Sequence, residues 1–334
     1  MTVVSVVSCF KPNVMRARVD PGTGAIIWTF EGAAGISNPL EFGSVDNLAF
    51  DGQYRAIVPC GKCLGCRIDY SREWANRMCI ELDDNPRAIF LTLTYNDEHL
   101  PLTDSGVPTL DKRDLQLFWK RLRKSFPGVT IRYYVAGEYG PKTLRPHYHA
   151  IVYGLGLDDF PDLYTRGCNE LRQPYYSSPR MAGIWGNGYI LMSEVSYKTC
   201  AYVARYVLKK HYGSDKSALG DAIQEFSLCS RRPGIGLLHA NDYVLSGNNV
   251  FPLSTASGVV EVSLPKAFMR HAKNSLAGED LDKCVSIQYN RAKDAYSRLC
   301  SNLRYTEKSY YDFLKSKEAN LAGKIKLLPD RGEH

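Results

Sequence analysis

The sequence predicts an α+β protein, and three segments of its central part carry this prediction. In RAIFLTLTYND, residues 87–97, apolar side chains alternate with threonines as they do on a strand with one buried face. In LDKRDLQLFWKRLRKSF, residues 110–126, leucine and phenylalanine recur at helical spacing opposite basic residues, which indicates a helix packed on a sheet. Residues 130–138 and 145–154 have the pattern of two strands joined by an eight-residue loop, so they predict a hairpin.

Composition permits a nucleic-acid partner but does not require one. The chain has 334 residues, with 42 Lys and Arg against 35 Asp and Glu, which gives a net charge of +7. It also has 22 Tyr, 12 Phe and 4 Trp, and aromatic faces between basic side chains are a means of holding single-stranded bases. The opening MTVVSVVSCF has no basic n-region and only a short apolar run, so we expect neither a signal peptide nor a membrane span. We therefore expect a cytosolic protein.

Changes of texture along the chain predict three regions. Residues 1–85 are turn-rich and contain a cysteine cluster followed by a basic helical stretch. Residues 86–215 hold the strands and helices of the predicted core. Residues 216–334 begin as a loop-rich segment and become helical from about residue 265.

The first element to carry chemistry is PCGKCLGCR, which places Cys60, Cys63 and Cys66 at two-residue gaps. Ten cysteines in a reducing compartment favour metal binding over disulfides, and three thiolates are one short of a closed tetrahedral zinc site. Cys9 is the first candidate for the fourth ligand and Cys79 the second. An iron–sulfur cluster and a set of unligated buried thiols are the alternatives. The bacterial ferredoxin pattern would need a fourth cysteine where Tyr70 stands.

The strand and helix that follow have opposite faces of different character. Phe90, Thr92 and Thr94 share one face of the first strand, and the aliphatic residues between them share the other. The helix ends at Pro127-Gly128, and its KRLRKSF stretch, like SRRPGIG at 230–236, is a basic segment that either lines a DNA path or forms an ordinary solvated face.

The hairpin concentrates metal-ligating residue types. His147 and His149 are two apart on a strand, so both imidazoles point to the same face. If residues 139–146 form the loop, Glu138 lies directly across from His147. Two imidazoles and a carboxylate with positions left open suit a divalent ion such as Mg or Mn, with zinc as the competitor. The alternative is a pair of half-buried, hydrogen-bonded histidines.

A helix over residues 196–213 supplies candidate nucleophiles. Its apolar arc is formed by Cys200 with aliphatic neighbours, while Tyr202 and Tyr206 lie on the other side with Lys209 and Lys210, the tyrosines one turn apart. A phenol needs a polarised phosphate or a cationic neighbour to attack, and Lys209 can supply the cation. The alternative is an ordinary amphipathic helix with tyrosines at its boundary.

Three motifs now occur in one order: FLTLTY at 90–95, HYH at 147–149 with Glu138 upstream, and YVARYVLKK at 202–210. In this order they resemble the motifs of HUH rolling-circle endonucleases, and with the cysteine cluster they look most like replication initiators of microviruses, the gokushovirus type. The resemblance implies a central antiparallel sheet with flanking helices, RRM- or ferredoxin-like. It also implies a metal on Glu138, His147 and His149, and nicking of one DNA strand by Tyr202 or Tyr206.

The resemblance also implies partners. Single-stranded or supercoiled origin DNA would be the substrate in the cytoplasm of a bacterial host, with Arg145, Arg205 and Lys210 as predicted DNA contacts. Because the sequence has no G-x-x-x-x-G-K-[ST] motif, unwinding would come from a host helicase, and a host polymerase would extend the 3′ end. Two alternatives stay open. One is a zinc-stabilised nucleic-acid-binding protein without catalysis, and the other is a relaxase or transposase of the same superfamily.

Overall fold

The structure is a computed structural model that describes residues 9–23, 26–33, 53–140, 143–168, 174–205, 220–255, 258–306 and 308–326. Its contacts divide the chain into two compact units. One comprises Met1–Asp69 with Ala277–His334, and the other comprises Tyr70–Leu276. None of the helices in the described segments has both the length and the apolar composition that crossing a bilayer requires.

The unit Tyr70–Leu276 is built on a seven-stranded antiparallel sheet. Its strands are β4 (Ala88–Tyr95), β5 (Arg132–Tyr139), β6 (Pro146–Tyr153), β7 (Tyr164–Cys168), β8 (Pro174–Ser177), β9 (Gly188–Glu194) and β10 (Phe226–Cys229). They lie in the order β10-β5-β6-β4-β9-β8-β7. The hairpin β5–β6 and the strand β4 are therefore in the middle of the sheet, where the predicted site residues are.

One face of this sheet carries the main hydrophobic core. Alternate residues of β4 are fully buried there, as their spacing predicts: Ile89, Leu91, Leu93 and Tyr95. Two helices cover this face, α2 (Lys112–Ser125) and α3 (Pro179–Trp185). The Asp111 side chain caps α2 by accepting a hydrogen bond from the Arg113 amide. The buried positions of α2 are Leu115, Phe118, Trp119 and Leu122, which confirms the amphipathic helix.

The opposite face carries the site and is packed by α1 (Leu64–Asp84) and α4 (Tyr197–Arg205). The Tyr153 hydroxyl donates a hydrogen bond of 2.8 Å to the Met78 carbonyl oxygen of α1, and the Trp74 ring lies 4.7 Å from the Tyr134 ring. These contacts hold α1 over the end of β5 and β6 that is remote from the hairpin loop.

The rest of this unit follows β10. It comprises α5 (Ala240–Leu245), the hairpin β11 (Val250–Thr255) with β12 (Gly258–Ser263), and α6 (Lys266–Ser275). Aromatic rings join these elements, with Phe251 4.6 Å from Tyr243 and 6.5 Å from Phe268. The sequence predicts this stretch only as loop-rich.

The unit formed by the two ends of the chain has a three-stranded antiparallel sheet. Its strands are β1 (Asn13–Val19), β2 (Ile26–Ala33) and β3 (Gln53–Val58), with β1 in the middle, and its long helices are α7 (Gly278–Thr306) and α8 (Tyr310–Lys326). Leu303, Tyr310 and Leu314 form a small buried cluster between the two helices. The α+β class, the antiparallel sheet with flanking helices, the cysteine-rich N-terminal part and the helical C-terminal part are confirmed. The three-region division stays a prediction.

Candidate metal and nucleophile site

Strand register brings Glu138, His147 and His149 together. In the β5–β6 hairpin Glu138 pairs with His147, as the sequence predicts, and Ala136 pairs with His149. The pairing extends by one more residue pair, Tyr139 with Pro146, so the loop is shorter than the eight residues expected. The Glu138 Oε1 atom lies 2.9 Å from His147 Nε2 and 3.0 Å from His149 Nε2. The three ligand atoms therefore converge on one point of the sheet.

The other nitrogen of each imidazole is held by the protein. His147 Nδ1 lies 3.0 Å from the Arg145 carbonyl oxygen, and His149 Nδ1 lies 3.0 Å from the Thr92 hydroxyl. Thr92 pairs with His149 across the β4–β6 ladder. Partners of this kind fix the ring orientation and tautomer of a metal-binding histidine and leave Nε2 as the ligand atom.

Burial and charge also fit a cation here. Glu138 is only 4% exposed, and a buried carboxylate is costly without a compensating positive charge. Burial raises the pKa of Glu138, but hydrogen bonds and charge from His147 and His149 outweigh that effect and lower it to about 2. The carboxylate is ionised at neutral pH, so this donor set has the composition and protonation that a divalent ion needs.

Tyr202 lies against this group. Its ring centroid is 5.4 Å from that of His149 and 6.1 Å from that of Phe90, both in edge-on geometry. Phe90 in turn stacks parallel to His149 at 5.8 Å. Cys200, Val203 and Ala204 are the buried residues of α4, and their burial confirms the predicted apolar arc and turns Tyr202 toward the triad.

The predicted basic contacts lie around the same site. Arg145 donates a hydrogen bond of 2.8 Å to the Tyr95 carbonyl oxygen and pairs with Asp97, so its guanidinium is anchored at the hairpin loop. Arg205 is exposed, with its guanidinium 5.6 Å from the Tyr202 ring centre. The remaining predicted residues, Tyr206, Lys209 and Lys210, lie outside the residues that the structure describes.

The cysteine cluster forms a second group of ligands, in the other unit. Antiparallel pairing of β1 with β3 places Asn13 opposite Val58, so the chain before β1 meets the chain after β3. The four sulfur atoms of Cys9, Cys60, Cys63 and Cys66 lie within 4.8 Å of one another. Cys9 is thus the fourth member of the cluster.

Backbone amides point at the sulfurs. The Cys9 sulfur accepts a hydrogen bond from the Cys60 amide at 3.2 Å, and the Cys60 sulfur accepts one from the Cys63 amide at 3.3 Å. Gly61, with φ of 74°, makes the tight turn between them. Although burial raises the pKa of Cys63, amide hydrogen bonds, the largest from Cys66 in the first turn of α1, lower it to about 7. Four convergent sulfurs with amide donors fit a tetrahedral metal such as zinc.

The second candidate for the fourth ligand, Cys79, is wrong. Cys79 is buried in α1 and hydrogen-bonds to Cys200 of α4. It therefore belongs to the packing of α1 with α4 rather than to the cluster.

Basic residues in the two segments considered for a DNA path also have structural partners. Arg121 of KRLRKSF donates hydrogen bonds of 2.6 Å to the carbonyl oxygens of Ile184 and Trp185, at the end of α3. In SRRPGIG, the Gly236 amide donates to the buried Glu81 carboxylate at 2.7 Å. Arg231 and Arg232 are exposed. A DNA role for either segment stays a prediction.

Sequence reasoning missed two residues of the site, Thr92 and Phe90. Their alternation puts both on one face of β4, but that this face meets His149 follows only from the pairing of β4 with β6. The signal that points to them is the threonine and phenylalanine alternation within FLTLTY, because a purely buried strand would carry aliphatic residues on both faces.

Comparison with known proteins agrees with this site. A family model for the replication-associated protein ORF2 matches residues 88–211. Replication-associated protein ORF2 of Spiroplasma virus 4 is 32% identical over 276 residues, which cover 81% of this chain and 84% of that protein. Replication-associated protein VP4 of Bdellovibrio phage phiMH2K is 38% identical over 169 residues, 47% of this chain and 50% of that protein.

A third relative, Replication-associated protein ORF4 of Chlamydia phage 1, is 32% identical over 162 residues, 47% of this chain and 39% of that protein. No solved structure gives a significant match. Because the first of these relatives matches over most of both lengths, the chain belongs to the phage replication-associated protein family, which confirms its resemblance to the rolling-circle replication initiators of microviruses.

Proposed function

We propose that this protein initiates phage DNA replication by nicking one DNA strand at the viral origin through a 5′-phosphotyrosine intermediate, and later transfers and joins the strand. One observation carries the proposal: the Tyr202 ring packs edge-on against His149, whose Nε2 atom converges with His147 on Glu138. A tyrosine beside a divalent-metal donor set is the pairing that this chemistry needs.

Glu138, His147 and His149 would hold the divalent ion, Mg or Mn. When bound, the ion supplies Lewis-acid polarisation of the scissile phosphate. The chain's own contribution is to hold the donors in place: Thr92 and the Arg145 carbonyl fix the imidazoles, and burial keeps the Glu138 carboxylate dry.

Tyr202 or Tyr206 is the proposed nucleophile. The phenol oxygen forms a bond to phosphorus while the bond from phosphorus to the 3′ oxygen breaks, and the proton lost by the phenol is balanced by the one gained at the 3′ oxygen. The energy of the phosphodiester is kept in the phosphotyrosine, so a free 3′-OH can reverse the step and join strands. Lys209 is proposed to favour the phenolate by its positive charge.

Two tyrosines one helical turn apart suit a reaction with two cuts. After one round of synthesis the origin is regenerated while one tyrosine still carries the old 5′ end. A second nucleophile then cuts the new origin and frees the displaced strand to close. Tyr202 and Tyr206 are four positions apart in the sequence, the spacing that places side chains side by side on a helix.

Basic residues around the site are proposed to position the DNA backbone. Arg145 at the hairpin loop and Arg205 beside the Tyr202 ring flank the triad, and Lys210 adds charge in the sequence that follows. Since the sequence has no P-loop motif, unwinding and extension are assigned to a host helicase and polymerase.

A covalent adduct is the direct test. Wild-type protein is incubated with labelled single-stranded viral DNA and Mn or Mg, and denaturing gels should show DNA bound covalently to protein. The matched variant His147→Ala/His149→Ala should bind DNA but form no adduct. Binding without any adduct on tiled fragments of the whole viral strand would instead favour a zinc-stabilised DNA-binding protein without catalysis.

A further inference from the structure

A straight row of residues crosses the site face of the sheet. Glu138 on β5 pairs with His147 on β6, His147 pairs with Thr94 on β4, and Thr94 pairs with Tyr189 on β9. Directly paired residues point to the same face, so the Tyr189 side chain lies on the face of the triad. The spacing of strands puts its backbone about 10 Å from that of His147.

Tyr189 differs from the other residues of this row by its exposure. Its side chain is 66% exposed, whereas Glu138 is buried and His147 and Thr94 are partly buried. A tyrosine in the middle of a seven-stranded sheet ordinarily packs under a helix, as Tyr134 and Tyr153 do on the same face below α1. Tyr189 instead presents an aromatic surface to solvent next to the proposed phosphate site.

The backbone beneath Tyr189 is rigid. A Cβ atom at Gly188 would lie 2.4 Å from the Asn96 nitrogen and the Thr94 oxygen, so the start of β9 can approach the end of β4 only as glycine. The Asn96 amide donates to the Asn187 carbonyl oxygen at 3.0 Å, and the Trp185 indole donates to the Thr94 carbonyl oxygen at 3.2 Å. The exposed ring therefore stands on a fixed support.

From this geometry we infer that Tyr189 stacks on a base of the single-stranded DNA that flanks the scissile phosphate. A base has an aromatic face whatever its identity, and a fixed tyrosine offers a stacking platform at little entropic cost. Phosphate contacts by basic residues set the path of the backbone, and the stacked base sets the position of the strand along that path. The inference rests on the proposed function, because it places the base beside a phosphate at the triad.

The experiment measures DNA binding separately from cleavage. An oligo(dT) strand carrying one 2-aminopurine is titrated with wild-type protein and with Tyr189→Ala, Tyr189→Phe and Tyr305→Ala. Tyr305 is 89% exposed on α7 and serves as the matched control. We expect Tyr189→Ala to bind about tenfold more weakly, in the range of one lost base–aromatic stack, with less quenching of 2-aminopurine. Tyr189→Phe and Tyr305→Ala should bind like wild type.

Salt dependence separates stacking from charge. Tyr189→Ala should lower affinity equally at all salt concentrations, because no phosphate contact is lost, whereas Arg145→Ala should reduce the slope of affinity against salt. Wild-type affinity and quenching in Tyr189→Ala, with its melting temperature unchanged, would overturn the inference. An adduct assay on the same proteins keeps the two ideas apart, since a wild-type protein that binds with stacking but never forms an adduct would defeat only the proposed nicking.

Discussion

The chain carries two clusters of metal-ligating residues, one in each unit, and they are built in opposite ways. Cys9, Cys60, Cys63 and Cys66 bring four sulfurs together, a complete tetrahedral set with backbone amides aimed at it. Glu138, His147 and His149 bring only three ligand atoms, one of them on a half-buried imidazole, with Tyr202 alongside.

This difference separates a structural metal from a reactive one. A closed four-sulfur site leaves no position for substrate, so its metal can act only by holding the chain together. Three ligands leave positions for a phosphate oxygen, and the tyrosine stands where it can reach that phosphate. The comparison predicts that changes in the two clusters affect nicking and stability in opposite proportions.

The largest expected effect on nicking comes from His149→Ala. Removing a ligand should reduce adduct formation by more than about a hundredfold, beyond what loss of a supporting residue causes, while the fold stays intact. Gel assays of adduct formation and circular dichroism measure the two effects. His99→Ala, an exposed histidine of the same unit that contacts Asn96, is the matched control. Normal nicking by His149→Ala would remove the triad from the mechanism.

Glu138→Gln should have a smaller effect. The amide oxygen can still coordinate, but the negative charge that attracts the cation is lost, so we expect weaker metal binding and activity that returns partly at high Mn concentration. Titration of adduct formation with Mn measures the shift. The comparison would need revision if Glu138→Gln lost all activity at every metal concentration, because a carboxylate with a proton-transfer role would then explain the result better.

A supporting residue comes next in size. Thr92→Val keeps the shape of the side chain and removes the hydroxyl that holds His149 Nδ1, so we expect a loss of about tenfold to a hundredfold in metal affinity or nicking rate. Thr92→Ser should restore most of it. If valine and serine behaved alike, the 3.0 Å contact would have no part in orienting the ligand.

Cys63→Ser should have the smallest effect on nicking and the largest effect on metal content. We expect about one zinc per chain in the wild type, loss of that zinc in the variant, and a less stable N-terminal segment, with nicking of short single-stranded DNA unchanged. Elemental analysis and thermal unfolding measure these changes, and Cys168→Ser, an exposed cysteine, is the control. An iron–sulfur absorption band, or nicking lost together with the zinc, would contradict the division between the two clusters.

The sequence predicts local geometry well and distant pairing poorly. The pairing of Glu138 with His147 follows from counting back across a hairpin, and the buried face of α2 follows from helical spacing. The contact of Thr92 with His149 depends on β4 lying next to β6, with a helix and a strand between them in the chain. The four-residue strand β10 pairs with β5 from nearly a hundred residues away and has no pattern strong enough to mark it.

The cysteine cluster shows the same limit. Cys60, Cys63 and Cys66 are evident from their spacing, whereas the choice between Cys9 and Cys79 depends on the register of β1 with β3. Likewise, the grouping of Met1–Asp69 with Ala277–His334 joins the two ends of the chain, and no periodicity within either segment indicates it.

The central claim is that a tyrosine of α4 attacks a phosphate held at the triad, and the most direct measurement is to find which residue carries the DNA. The adduct formed with Mn is digested with nuclease and protease, and mass spectrometry locates the nucleotide. We expect a 5′-phosphoryl nucleotide on Tyr202 or Tyr206, each of which should still form adduct when the other is phenylalanine, and no adduct in the double variant. A nucleotide on any other residue, or attached through a 3′-phosphate, would contradict the account.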